Sequence, residues 1–83
     1  MTQEELTRLG IIAVQELDLD FHLESASQRE SRLFFIYSNR HADPEHRTFE
    51  AQVDMDRVGR TEETVKGALR REIEFAGHPF GRH

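Results

Sequence analysis

The hydrophobic positions of this chain follow a helical spacing at both ends and a two-residue alternation between them. Thr2-Gln3-Glu4-Glu5 matches a capping box, in which the Thr2 hydroxyl accepts the Glu5 backbone N–H and the Glu5 side chain reaches back. Leu6 and Leu9 follow three apart, and Gly10 can supply a left-handed stop, which predicts a short helix over 3–9. A second solution competes with it. Leu6, Gly10, Ala13 and Leu17 lie at helical spacings, so the helix can run to about residue 16 with Gly10 inside it, at a cost of about 1 kcal/mol.

From Glu16 the period becomes two. Leu17, Leu19, Phe21 and Leu23 alternate with Asp18, Asp20, His22 and Glu24, the pattern of a half-buried strand. Residues 25–31 are polar and turn-like, and 32–38 form a second strand rich in aromatic residues. Residues 39–46 make a loop punctuated by Asp43-Pro44, and Phe49, Ala51, Val53 and Met55 define a third, one-sided strand. Arg57 to Arg60 turn the chain, and Thr61 N-caps a helix with Glu62 and Glu63 in its first turn. Val65, Ala68, Leu69, Ile73 and Ala76 carry its apolar stripe, and Gly77 and Pro79 mark its end. The expectation is one α+β domain over 1–77, a three-stranded antiparallel meander with a C-terminal helix on one face and a short N-terminal helix. Residues 78–83 are expected to form a flexible tail.

Matching the apolar faces sets a register, with Phe21 opposite Phe35, Leu23 opposite Leu33 and Leu19 opposite Tyr37. It also places Glu24 opposite Arg32, Glu16 opposite Arg40 and Arg32 opposite Asp54, all of opposite charge. The middle strand breaks the one-sided rule. Phe34 and Ile36 point to the second face, beside Asp20, His22, Glu50 and Gln52. Something must cover them: the N-terminal helix, a second copy, or a partner protein. The N-terminal helix fits the first face better, so self-association or a partner is the expectation.

Composition narrows the function. The 83 residues contain 16 acids against 11 Lys and Arg, five His and no Cys, for a net charge of −5. One small domain fits that length. The absence of Cys removes disulfides, thiolate metal sites and Cys nucleophiles. No apolar run approaches the ~18 residues of a membrane span, and the N-terminus lacks the order of a signal peptide. A cytoplasmic domain of bacterial or phage type, acting without a membrane, is the expectation. Net negative charge argues against direct nucleic-acid binding, because phosphate recognition needs a basic face. The bases that exist, Arg57, Arg60, Lys66, Arg70 and Arg71, are interleaved with acids in the last third of the chain.

Several groupings of residues carry the elements of a chemical site. Asp54-x-Asp56-x-x-Gly59 begins like a calcium loop, but the third and last ligand places fall on Val58 and Val65. His41, Asp43 and His46 share one loop and are weak candidate metal ligands, without the helical spacing that fixes a metal site. Arg57, Arg60 and Lys66 surround a helix start that favours anions, opposed by Glu62 and Glu63. Asp18, Asp20, His22 and Glu24 form an acidic stripe on one strand face, a pattern able to imitate a phosphate backbone. No nucleophile with a base and no glycine-rich phosphate cradle accompanies them, so no catalytic residue and no cofactor is expected.

The order helix, strand, strand, strand, helix resembles in topology the double-stranded-RNA-binding domain. That family carries a lysine pair at the start of its second helix, where this chain has Glu62-Glu63, so the resemblance implies the fold and not RNA binding. The functional expectation is a small non-catalytic protein-interaction module, homodimerisation included, using Phe34, Ile36, Asp18, Asp20 and His22. An acidic inhibitor that blocks a nucleic-acid-binding protein is the alternative, and a metal protein built on the His41–His46 loop a weaker one.

Overall fold

A computed structural model of the chain describes residues 1–81, without the side chains of His46 and of residues 76–81. Helix α1 spans Gln3–Glu16. It opens on the expected capping box: Glu5 N donates to Thr2 Oγ1 at 3.2 Å and Thr2 N to Glu5 Oε1 at 2.8 Å. It does not stop at Gly10. A Cβ at that position would sit 2.8 Å from Leu23 Cδ2 and 3.1 Å from Phe35 Cδ1, so the glycine serves close packing of helix on sheet rather than termination. The stop comes at Leu17-Asp18-Leu19. Asp18 N donates to the Gln15 carbonyl at 3.1 Å and Leu19 N to the Val14 carbonyl at 3.2 Å, with Asp18 at φ 55, which is a Schellman motif.

That stop displaces the first strand. Strand β1 spans His22–Arg29, β2 Arg32–Ser38 and β3 Thr48–Asp54, in the antiparallel order β1-β2-β3. The stretch expected to turn, 25–31, is therefore mostly strand, and only Glu30 and Ser31 turn the chain. Leu23 lies opposite Tyr37, Ala26 opposite Phe35 and Gln28 opposite Leu33, with a bulge between Leu23 and Ser25. The pairs expected for Leu19, Phe21, Leu23 and Glu24 do not form. Their alternation is used for a helix stop and a loop, and Phe21 stacks edge-on against Phe49, with ring centroids 5.1 Å apart. Glu16 lies at the end of α1 rather than opposite Arg40. The second hairpin has the expected register, with Arg32 opposite Asp54 and 3.8 Å between Arg32 Nη2 and Asp54 Oδ2.

After a 3-10 turn over Pro44–His46 and strand β3, a one-turn helix α2 (Met55–Val58) precedes α3, Glu62–Gly81. Thr61 Oγ1 accepts from Thr64 N at 3.2 Å, the expected cap. Helix α3 continues past Gly77 and Pro79 to Gly81, so the backbone does not change at residue 77. Those residues tax helix propensity without ending this helix. Arg82 and His83, the rest of the expected tail, lie outside the described residues.

Both long helices lie on one face of the sheet. Leu6, Leu9 and Ala13 of α1 and Val65, Leu69 and Ile73 of α3 close over Leu33, Phe35 and Tyr37 of the middle strand, all buried. Ion pairs lace the two helices together. Arg8 pairs with Glu62, and Glu16 accepts from Lys66 Nζ at 3.0 Å and Arg70 Nη1 at 2.7 Å. The partners advance along both helices in the same sense, so α1 and α3 run parallel. Among the described residues no helix is long and apolar enough to cross a membrane.

Candidate functional site: the open face of the sheet

Alternation along β2 sends Leu33, Phe35 and Tyr37 into the core and Phe34 and Ile36 to the opposite face. Both helices occupy the core side, so no described element covers that second face. Its centre is Phe34, between Ser27 and Gln52, and Ile36, between Ser25 and Glu50. The β3 neighbours are those expected from the sequence. The β1 neighbours are not: serines stand where Asp20 and His22 were expected, because β1 begins later and carries a bulge. Serine hydroxyls are too short to shield an aromatic ring, and both apolar side chains remain partly exposed. Gln52 Nε2 donates to Glu50 Oε1 at 2.7 Å, which ties the polar border on the β3 side.

The acidic stripe does not assemble. Asp18 is the left-handed residue of the α1 stop, and Asp20 lies in the loop after it. Asp20 Oδ2 meets His41 Nε2 at 3.0 Å, a contact between two exposed side chains. His22 opens β1 opposite Ser38, at the end of the open face, and stands 3.9 Å from Glu24. Of the five residues expected to act together, Phe34 and Ile36 share the centre of one surface, His22 sits at its rim, and Asp18 and Asp20 lie apart.

The other groupings find structural uses. Asp54 caps α2 by accepting from Asp56 N at 3.0 Å. Asp56 accepts from Ser31 Oγ at 2.8 Å and from Arg60 Nη2 at 2.6 Å. The Ser31 hydrogen bond, with help from Arg60, holds the Asp56 carboxyl below its ordinary value. The resemblance to a calcium loop is thus a hydrogen-bonded turn that joins α2 to the β1–β2 hairpin. Among the described residues no three His, Asp or Glu side chains gather as a metal site, and the His46 side chain is not among them. Lys66, expected near an anion, is held by Glu16 instead, which keeps the carboxyl below and the ammonium above their ordinary values. Arg57 and Arg71 have no ion-pair partner among the described residues. Nothing in the one-dimensional pattern separates these two arginines from the paired ones; the distinction arises only from the packing of α2 and α3.

Comparison with family models, with curated proteins and with solved structures gives no significant match.

Proposed function

We propose that this chain is a small non-catalytic protein-interaction module that docks a partner protein on the open sheet face around Phe34 and Ile36. The observation that supports this reading is the placement of both side chains at the centre of the middle strand, on a face that neither helix covers. A sheet whose only purpose was to carry two helices would place polar residues there, as β3 does with Glu50 and Gln52. Two apolar side chains in their stead cost solubility and return binding energy only when a partner removes water from them.

Size bears on which partner. Three strands ~4.8 Å apart and about seven residues long present roughly 330 Å². Two such faces pressed together bury about 650 Å², well short of the ~1,200 Å² of a stable interface. That favours a different protein that reaches beyond the sheet face over a second copy of the same face. The acidic-mimic reading loses its geometric basis, since Asp18 and Asp20 do not share a strand face with His22 and Glu24.

The test is a photo-crosslinking residue placed at position 34, with the same residue at Thr7 on the outer side of α1 as control, both expressed in the native host. A crosslink specific to position 34 identifies the partner, which is then titrated against wild type and Phe34→Thr. Loss of about tenfold or more in affinity, with the circular dichroism spectrum retained, supports the module. Equal crosslinking at both positions, or undiminished binding by Phe34→Thr, overturns it. A crosslinked product of twice the chain's own mass instead identifies self-association.

A further inference from the structure

We infer that the free edge of β3 and the flank of α3 form a second docking site, which accepts an extended acidic peptide as a fourth strand of the sheet. The hydrogen-bond phase of the second hairpin establishes which backbone groups are free. Asn39 N donates to the Arg47 carbonyl at 2.7 Å, and Met55 N to the Ser31 carbonyl at 2.8 Å, at the two ends of a regular register. Between them the bonded pairs are Tyr37 with Phe49, Phe35 with Ala51 and Leu33 with Val53. The N–H and C=O groups of Thr48, Glu50 and Gln52 therefore point away from β2. Among the described residues nothing donates to them or accepts from them.

The two edges of the sheet are treated differently. At β1 the outward carbonyl of Ala26 accepts from Gln3 Nε2 at 2.7 Å, and a bulge interrupts the strand between Leu23 and Ser25. Both devices keep another strand from pairing there. Strand β3 has neither, and it contains no proline, lysine or bulge over Thr48–Asp54. An edge left straight and unpaired is a template for strand addition.

Charge and shape select the occupant. A groove of about 440 Å³ runs from Gln52, Val53 and Asp54 at this edge to α2 and α3. Its lining includes Val53, Val58 and Ala68 together with Arg57 and Arg71. Of the three arginines that line it, Arg32 pairs with Asp54, whereas Arg57 and Arg71 have no ion-pair partner among the described residues, although Glu72 lines the same groove. In an added strand alternate side chains face the helix side and the open side. Residues on the helix side meet Arg57 and Arg71 and are acidic. Residues on the open side continue the face of Glu50 and Gln52 and are neutral. A second copy of the chain fits poorly, because its own α3 packs over β3 and would have to share the space above this edge with its twin.

The probe is a synthetic seven-residue peptide of alternating glutamate and valine, titrated into the isotope-labelled full chain. Saturable binding is expected, with the amide protons of Glu50 and Gln52 gaining protection from hydrogen exchange. Arg57→Glu/Arg71→Glu is expected to weaken binding about tenfold or more, and a peptide N-methylated on the residues that pair with β3 by a similar factor. Ser27→Arg, which crowds Phe34 from the far strand β1 and does not border β3, is expected to leave this titration unchanged, which separates failure here from failure of the sheet-face reading. Equal affinity for a control peptide of alternating lysine and valine of the same length, no saturable binding, or binding without protection at Glu50 and Gln52 overturns the inference.

Discussion

The hydroxyl of Tyr37, on the middle strand, donates to the backbone carbonyl of Gly10, in the middle of α1, at 2.9 Å in the buried core. It is a polar pin between the first helix and the sheet, surrounded by apolar side chains. Tyr37→Phe keeps the ring and removes the pin. The expected loss is about 1 kcal/mol, as for other buried neutral hydrogen bonds, read as a lower urea midpoint at unchanged slope. A second readout follows from burial, which pushes the Tyr37 hydroxyl well above its ordinary 10.0. A raised pKa contributes stability in full below the ordinary value, and that stability is lost as pH rises above it. Wild type is therefore expected to lose stability more steeply than Tyr37→Phe on the alkaline side. Parallel alkaline limbs in the two proteins contradict the assignment.

Gly10 also sets how closely the helix approaches. Gly10→Ala relieves the helix of a poor former, worth about 1 kcal/mol, but drives a methyl group against Leu23 and the fully buried Phe35 ring. Overpacking of this kind costs about 1–3 kcal/mol. Leu23 can yield and Phe35 cannot, so a net loss of about 1 kcal/mol is expected in chemical denaturation. A stabilised Gly10→Ala protein would show that the contact is loose.

Two residues with positive φ carry the turns of the N-terminal half: Asp18 at 55° and Glu30 at 57°. Glu30 is the first residue of a two-residue hairpin turn, a place where glycine is favoured because a side chain is strained. Glu30→Gly is expected to raise stability by about 0.5–1 kcal/mol. Asp18→Gly is expected to do likewise, in part because it removes a negative charge from the end of α1, where the helix dipole disfavours it. The two gains are told apart by thermal melts at low and high salt: that of Asp18→Gly shrinks with salt and that of Glu30→Gly does not.

These two positions also explain what was legible in the sequence. The helix–strand–strand–strand–helix order, the capping box at Thr2, the Thr61 cap and the Arg32–Asp54 register follow from local patterns, and all are found. The first strand was illegible because Leu17, Leu19, Phe21 and Leu23 mimic strand alternation while serving a Schellman stop and a loop. The hairpin at Glu30-Ser31 has no glycine or asparagine to announce it, so the polar residues 25–29 resemble a turn. They form a strand because Ala26 fits under α1 and Gln3 fastens its carbonyl, contacts 23 residues apart in the chain. The open face was half legible. Phe34 and Ile36 stand out on the middle strand, but their β1 neighbours depend on a bulge that no local pattern encodes. The free β3 edge and the placement of Arg57 and Arg71 in the groove beside it depend on tertiary structure alone.

Glu16, at the end of α1, is the junction between the helices. It accepts hydrogen bonds from both Lys66 and Arg70, and the Lys66 bond is the leading reason its carboxyl lies below the ordinary 4.5. A lowered carboxylate pKa contributes stability that is fully present above the ordinary value and is lost as pH falls through the lowered one. Lys66 shifts in the opposite direction for the same reason, so its contribution persists to the alkaline end and does not confuse the acid limb. Glu5 and Asp56 are lowered as well, through hydrogen bonds from Thr2 and Ser31, and add to the same acid loss. Glu16→Gln keeps the shape and removes the titration. Its melting temperature is expected to lie below that of wild type at neutral pH, and the two curves are expected to converge as pH falls from the ordinary 4.5 through the lowered value. High salt should narrow the neutral-pH gap, because all three side chains are only partly shielded from solvent. A constant gap across the acid range would show that Glu16 acts through packing rather than charge.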